Sequence, residues 1–104
     1  MTTDRLQTLL KFVEQNPDDA FVRYGLAQEY VSQGQLQSAV EEFGRLIESN
    51  PNYQAAYYHG GQTHLKMGHK QEAHDWFRKG IELAGRTGDT HARDELMAAL
   101  EESS

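Results

Sequence analysis

Histidine is the residue in this sequence whose spacing first suggests chemistry, because four of its five copies recur at intervals of five, at His59, His64, His69 and His74. Imidazole nitrogens ligate zinc and other metals, and two such ligands on a helix usually stand about four residues apart. A step of five residues turns about 140° around a helix, so these four side chains would not share a face. The sequence therefore predicts neither a metal site nor a metal cofactor.

Catalysis would need a nucleophile beside a base, paired carboxylates in a cleft or a glycine-rich phosphate loop. The chain has no cysteine, which removes thiol nucleophiles, thiolate zinc sites and disulfides. The acidic pairs Glu41-Glu42 and Asp94-Glu95 fit solvated helix faces. Gly60-Gly61 falls inside a predicted helix, where it would let another helix approach closely. We predict no catalytic residue and no cofactor, and we expect a protein that is not an enzyme.

The length and the charge of the chain restrict the remaining classes of protein to which it could belong. A chain of 104 residues fits a single domain. Its net charge of −6 argues against general binding to nucleic acid, which requires clustered Lys and Arg. No stretch approaches the ~18 consecutive apolar residues of a membrane span, and the N-terminus lacks the order of a signal peptide. We therefore expect a cytoplasmic protein that binds neither nucleic acid nor membrane.

The strongest pattern is a repeat, because a shift of 34 residues superimposes the landmarks of residues 19–85 on one another. The superimposed pairs are Tyr24 and Tyr58, Gln28 and Gln62, Gly34 and Gly68, Ala39 and Ala73, Phe43 and Phe77, and Ile47 and Ile81. A fixed period of this length is typical of stacked helix–turn–helix units.

Apolar periodicity and capping residues predict an all-α fold of six helices without strands. The expected spans are 3–15, 20–32, 36–49, 53–67, 70–84 and 89–101. Asp18 or Asp19 would cap the second helix, and Asp89 or Thr90 the last one. Gly34 would end the second helix in a left-handed conformation. The first and last helices each have one apolar side and would cover the ends of the stack.

This pattern resembles the tetratricopeptide repeat family, whose units carry leucine and a small residue, then tyrosine, then Ala-x3-Phe and proline. The matching core positions are Leu26, Ala27, Tyr30, Ala39 and Phe43 in the first unit, and Gly61, His64, Ala73 and Phe77 in the second. The first unit departs from the pattern at Arg23, where the family has a large residue. The second departs at Gly60 for leucine, His64 for tyrosine and Gly85 for proline.

The resemblance implies an array of helix–turn–helix repeats in one domain spanning 1–104. Its parts would be an N-terminal capping helix at 3–15, repeats at 20–53 and 54–87, and a C-terminal capping helix at 89–101. Trp76 stands where the first unit has Glu42, so it is not expected in the deep core. Either the last helix covers Trp76 or it is an exposed contact residue, and we expect the first because that helix needs an apolar partner.

In this family the first helix of each unit lines a concave groove that receives an extended peptide or a partner helix. By register, the implied groove residues are Phe21, Tyr24, Gln28, Val31 and Ser32 from the first unit, and Ala55, Tyr58, His59, Gln62, Leu65 and Lys66 from the second. Tyrosine would supply rigid contact area, and glutamine would supply hydrogen bonds to a peptide backbone. The plainer alternative is that these are ordinary helix positions with partly packed tyrosines.

The resemblance thus implies a non-catalytic module that binds a protein or peptide ligand. A clamp for a C-terminal carboxylate is not expected, because only Lys66 and His59 would offer positive charge. Self-association is the alternative function. Residues 17–50 carry a net charge of −4, residues 51–84 carry +1 and residues 85–104 carry −3, a layout that would support a weak homo-oligomer.

Overall fold

The structure, a computed structural model, describes residues 2–104, with side chains from Arg5 onward, and this part of the chain forms six α-helices and no strand. The helices are α1 (Thr2–Gln15), α2 (Ala20–Ser32), α3 (Leu36–Ser49), α4 (Gln54–Lys66), α5 (Lys70–Thr87) and α6 (Thr90–Glu102). Each packs against its neighbours in sequence, and α6 also contacts α4. The predicted all-α repeat fold is confirmed. No helix within these residues is long and apolar enough to cross a membrane.

Side-chain caps and left-handed glycines set the helix ends. Of the candidate caps, Asp19 accepts a hydrogen bond from the backbone N–H of Val22 at 3.2 Å, and Asp89 accepts one from that of Ala92 at 3.0 Å. Gly34 and Gly68, which follow the first helix of each unit, have φ values of 76° and 79°. Glycine adopts this conformation without steric cost, so the chain can turn sharply into the next helix.

Helix α5 is longer than predicted, because it continues through Gly85 and ends at Thr87. The first unit closes at Pro51, whose ring and missing N–H are incompatible with a helix interior. Gly85 has neither restriction, so the backbone hydrogen bonds continue for another turn. Gly88 follows as the C-cap, with a φ of 75°.

Two clusters of buried side chains form the core. The first consists of Ala27, Ala39, Phe43, Leu46 and Ala56 from α2, α3 and α4. The second consists of Ala73, Phe77, Leu96 and Ala99 from α5 and α6. Among the sequence-predicted core positions, Leu26, Ala27, Ala39, Phe43, Gly61, His64, Ala73 and Phe77 are buried, and Tyr30 is half-buried. Both matched alanines are fully buried, so a larger side chain at either would cost about 1–3 kcal/mol.

Glu42 corrects the interpretation of Glu41-Glu42 as a solvated pair, because its side chain is buried in an ion-pair network. One carboxylate oxygen lies 2.9 Å from Nη1 of Arg23, and the other lies 2.7 Å from Nη1 of Arg45. Arg23 occupies the position where the family has a large residue, and from α2 it reaches α3. Two guanidinium groups compensate the buried charge, which would otherwise be costly.

Trp76 also differs from the prediction, because it packs on α4 and the cluster around Phe43 rather than beneath α6. Its ring is perpendicular to that of His64, with centroids 4.7 Å apart. A Cβ atom built on Gly60 would lie only 2.1 Å from Cζ3 of Trp76, so the missing side chain at Gly60 provides the space. The first unit has the opposite combination at these two positions, a large Leu26 and a Glu42.

Candidate functional site

The predicted groove residues lie on the first helices of the two units, α2 and α4, and we call this set the α2–α4 face. Phe21, Ser32 and Lys66 are exposed, whereas Tyr24, Gln28, Val31, Ala55, Tyr58, His59, Gln62 and Leu65 are half-buried. Phe21 is the most exposed large apolar residue of the described chain, at 75%. The face therefore combines partly packed aromatic residues with accessible polar and apolar side chains.

A row of four aromatic rings crosses this face, and we call it the ring row: Tyr53, Tyr24, His59 and Tyr58. The centroid of the Tyr24 ring lies 5.4 Å from that of Tyr53 and 5.8 Å from that of His59. His59 in turn meets Tyr58 at 5.1 Å and 88°. The sequence predicts the two matched tyrosines side by side, but the imidazole of His59 stands between them. Tyr53 was missed because its counterpart 34 residues earlier is Asp19, so no repeat signal marks it.

Tyr24 is fixed from both sides, which makes the ring row rigid at that point. Its ring packs edge-on against the buried Phe43, with centroids 6.1 Å apart. Its hydroxyl accepts a hydrogen bond from Nε2 of Gln28 at 3.1 Å. Burial raises the pKa of Tyr24, so the phenol stays neutral at physiological pH. Gln62, the counterpart of Gln28, makes no side-chain hydrogen bond within residues 2–104, so its amide is available to a ligand.

Burial also controls the charge of the two histidines on α4. It lowers the pKa of His59, with the carboxylate of Glu95 opposing the shift. It lowers the pKa of His64 as well, and His69 adds to that effect. Both rings are therefore mainly neutral near pH 7, which leaves Lys66 as the only cation among the predicted groove residues.

The structure brings together two of the regularly spaced histidines, although they do not share a helix face. Nδ1 of His64 lies 3.3 Å from Nδ1 of His69, because His69 is the N-cap of α5 and folds back onto α4. At this distance one nitrogen donates and the other accepts. Within the described residues no group of three or more His, Cys, Asp or Glu side chains is arranged to hold a metal ion.

Helix α6 contributes to the site in a way that the sequence did not reveal. A cleft of about 230 Å³ between α4 and α6 is lined by Gln54, Ala55, Tyr58, Asp89, His91, Ala92, Glu95 and Leu96. It continues the α2–α4 face beyond Tyr58. Glu95 is exposed, as predicted, and from the cleft its charge opposes the lowering of the His59 pKa. The helix lies outside the repeat period, so no register argument marked its inner residues.

A larger hollow, of about 420 Å³, lies between the second helices α3 and α5 and includes Gly44, Tyr57 and Trp76 in its lining. Two of its charged rim residues already have partners, since Arg45 contacts Glu42 and Lys79 contacts Asp75 at 3.2 Å. Volume alone does not identify a binding site. The ring row and the amide of Gln62, which has no internal hydrogen bond among the described residues, are on the α2–α4 face, which makes that face the better candidate.

Comparisons with known proteins also identify tetratricopeptide repeats in this chain. A sequence profile for the TPR repeat matches residues 27–68, and one for the tetratricopeptide repeat matches residues 54–87. A TPR repeat-containing protein of Pseudomonas aeruginosa is 27% identical over 95 residues, which cover 91% of this chain and 90% of that protein.

Two of the solved structures that resemble this chain illustrate the likeness. A tetratricopeptide repeat domain protein from Salinibacter ruber has 33% sequence identity and a TM-score of 0.80, and the match covers 85% of this chain and 89% of that one. PcrH, crystallised in complex with the chaperone binding region of PopD, has 19% identity and a TM-score of 0.89 over 98% of this chain and 77% of its own. The second likeness concerns the fold alone.

Proposed function

The chain belongs to the tetratricopeptide repeat family, and we propose that it acts as a non-catalytic protein-interaction module whose α2–α4 face binds a peptide or a partner helix. The ring row is the observation that carries this proposal. Aromatic rings provide large contact areas with few rotatable bonds, and they are frequent among the residues that dominate binding energy. The complex of PcrH with the chaperone binding region of PopD is an example of binding by a protein of this fold.

The proposed organisation assigns the repeats to residues 20–53 and 54–87 and treats α1 and α6 as caps. One profile match spans residues 54–87, which supports the second boundary. In this arrangement the first helix of each repeat, α2 or α4, presents its groove residues to the ligand. Location in the cytoplasm is part of the same proposal.

The proposed mechanism is binding to a face that is already ordered. Tyr24 is held by Phe43 and Gln28, and Tyr58 packs on Phe77 with ring centroids 6.5 Å apart. A ligand would meet these rings without first immobilising them, so less of the interaction energy is spent on ordering. Gln62 and the exposed Phe21 would add a backbone hydrogen bond and an apolar contact.

The test requires variants that change the face without damaging the core. Alanine at Tyr24 is unsuitable, because the ring packs against the core cluster. The variant carrying Phe21→Ala and Gln62→Ala removes one highly exposed ring and one amide without an internal hydrogen bond. The matched control carries Phe12→Ala and Gln7→Ala, which change the same residue types at exposed positions of α1.

Affinity capture from a lysate of the source organism, quantified by mass spectrometry, compares these two variants with the wild type. We expect the proteins captured by the wild type to be retained by the α1 control and lost by the α2–α4 variant. Circular dichroism must show equal helicity for all three. If the folded α2–α4 variant captures the same proteins in the same amounts, the assignment of the face is wrong.

Self-association is a second candidate, favoured by an apolar cleft between α5 and α6. Ile81, Leu100 and the exposed Met97 line this cleft, whose volume is about 370 Å³. A second copy that covered it would remove apolar surface from water. Light scattering after size exclusion, over a range of protein and salt concentrations, tests this idea. A monomer under every condition would rule it out.

A further inference from the structure

We propose that the segment bound by this protein is basic, and that one of its lysine or arginine side chains enters the cleft between α4 and α6 to contact Glu95 and the ring of Tyr58. This inference rests on the proposed function, because it assigns a charge class to the ligand of the α2–α4 face. It follows from the distribution of charge, the carboxylate of Glu95, which has no internal ion-pair partner in the described part of the chain, and the lining of the cleft.

Two carboxylates on the α6 side of the cleft have no ion-pair partner within the described side chains. Asp89 and Glu95 line it from α6, and the residues that line it from α4 are Gln54, Ala55 and Tyr58, none of which is a cation. Asp89 is the N-cap of α6 and accepts a hydrogen bond from the backbone N–H of Ala92. Lys66 is two turns farther along α4 than Tyr58, about 12 Å by helical rise. His91 lines the cleft but is exposed, and it would compete only weakly for a carboxylate in water.

The cations that form ion pairs in the described chain do so elsewhere. Arg5 pairs with Glu29, Arg23 and Arg45 with Glu42, Lys79 with Asp75, Arg86 with Glu82, and Arg93 with Asp94. Glu95 has no hydrogen-bond or ion-pair partner within residues 2–104. An incoming cation would therefore find a free carboxylate and would not have to displace an internal one.

Glu95 also influences the ring row. Its negative charge is felt at the phenol of Tyr24 and at the imidazole of His59, on two different helices. Because Glu95 is exposed, water screens its charge, and its attraction for a basic segment is strongest in the cleft itself. The net charge of −6 would add long-range attraction for such a segment.

The lining suits a long basic side chain. Ala55, Ala92 and Leu96 provide apolar surface for its methylene groups, and the ring of Tyr58 offers a face for a cation–π contact. The volume of about 230 Å³ is smaller than the ~300–1,000 Å³ of small-molecule pockets. A single side chain of a longer ligand is therefore a better match than a free metabolite.

The experiment uses a phage-displayed library of random dodecapeptides, selected on the full chain. Peptides enriched on the wild type are synthesised, and their Kd values are measured for the wild type, Glu95→Gln and Glu101→Gln. Glu101 is the matched control, because it is an exposed glutamate on the same helix that lines the cleft between α5 and α6. Binding is also measured for the variant carrying Phe21→Ala and Gln62→Ala.

We expect the enriched peptides to carry an excess of Lys and Arg over the unselected library. Glu95→Gln should weaken their binding about tenfold, as for the loss of one charge-assisted contact, and raised salt should weaken wild-type binding. Glu101→Gln should change Kd by less than about twofold, as expected for a surface position remote from the site.

Two kinds of failure are distinguishable. If no peptide is enriched, or if enriched peptides bind the variant at Phe21 and Gln62 as tightly as the wild type, the proposed function fails and this inference fails with it. If the peptides depend on that face but are not basic, or bind Glu95→Gln as tightly as the wild type, only the charge inference is overturned. Equal weakening by Glu95→Gln and Glu101→Gln would also overturn it, since overall charge would then explain the binding.

Discussion

The imidazole of His59 lies edge-on to the ring of Tyr24, with the two ring centroids 5.8 Å apart. This contact joins α4 to α2, the first helices of the two units, and it connects Tyr24 to Tyr58 through a third ring. Tyr24 and Tyr58 are equivalent positions of the repeat. The residue that links them, His59, has no aromatic counterpart, because the equivalent position in the first unit is Gly25. The ring of His59 therefore distinguishes the α2–α4 face from one formed by two identical repeats.

The two histidines of α4 with lowered pKa values predict a pH-dependent stability. The unfolded chain protonates them near the ordinary value of 6.5, whereas the folded chain resists protonation. The contribution of these neutral histidines to the stability of the folded state is thus complete above about pH 6.5. It is lost as the pH falls towards the lower folded-state pKa. We expect the urea concentration at the midpoint of unfolding to decrease when the pH is lowered from about 7.5 to about 5.5.

The histidine contribution is isolated by substitution. The double variant His59→Asn, His64→Asn should lose part of this pH dependence, because the groups that resist protonation are gone. His91→Asn, at an exposed position, serves as the control and should retain the wild-type dependence. An unchanged pH dependence in the double variant would contradict the assignment.

The pair Gly60 and Trp76 predicts a strong energetic coupling. A Cβ on Gly60 would lie 2.1 Å from Cζ3 and 2.5 Å from Cε3 of Trp76, so Gly60→Ala should destabilise the wild type by about 1–3 kcal/mol. In a Trp76→Ala background the same change should be neutral or stabilising by up to about 1 kcal/mol, because alanine favours the helix. Urea unfolding of the four proteins measures the coupling.

Gly44→Ala is the control for this cycle. A Cβ at Gly44 would meet no atom within 4 Å, so the substitution should stabilise α3 by about 0.5–1 kcal/mol. If Gly60→Ala had the same effect in both backgrounds, Trp76 would not occupy the space beside Gly60.

The buried carboxylate of Glu42 predicts a selective loss of stability. Glu42→Gln removes the charge that compensates Arg23 and Arg45, and we expect a cost of about 1–3 kcal/mol in chemical denaturation. The adjacent Glu41 is exposed and accepts a hydrogen bond from Gln37, so Glu41→Gln should cost no more than about 0.5 kcal/mol. Equal effects would mean that Glu42 is solvated in solution.

The N-terminus of α2 offers a matched pair of neighbouring aspartates. Only Asp19 accepts a backbone hydrogen bond, from Val22 at 3.2 Å, so Asp19→Ala should cost about 1 kcal/mol. Asp18→Ala should remain within about 0.5 kcal/mol of the wild type. Thermal unfolding followed by circular dichroism gives both values, and similar losses would show that Asp18 shares the capping role.

The sequence predicted the helices well because their signals are local. Asp19, Gly34 and the matched apolar positions each act within a few residues of their own place in the chain. The sequence did not predict the end of α5, because a glycine instead of a proline at position 85 allows the helix to continue but does not require it to do so. Only Gly88, three residues later, forces the turn.

The misassigned side chains depend on contacts between helices. The register pairs Trp76 with Glu42, which predicts a solvated Glu42 and a Trp76 outside the deep core that α6 covers. Arg23 instead keeps Glu42 buried, and the missing side chain of Gly60 lets Trp76 pack on α4. Each compensating residue belongs to another helix, and the register argument treats positions one at a time. Glu95 is exposed as predicted, but the cleft that it lines was not predicted, since α6 has no counterpart in the repeat and its orientation follows from packing alone.

Amide chemical-shift mapping of the ¹⁵N-labelled protein with a groove-dependent peptide from the library tests the central claim most directly. The account predicts that the largest shift changes occur along the α2–α4 face, around Tyr24, Tyr58 and Gln62, and extend to Glu95 on α6. The signals of Gly44 and the Trp76 indole, at the hollow between α3 and α5, should change little. The largest changes at that hollow, with the ring row unaffected, would contradict the account.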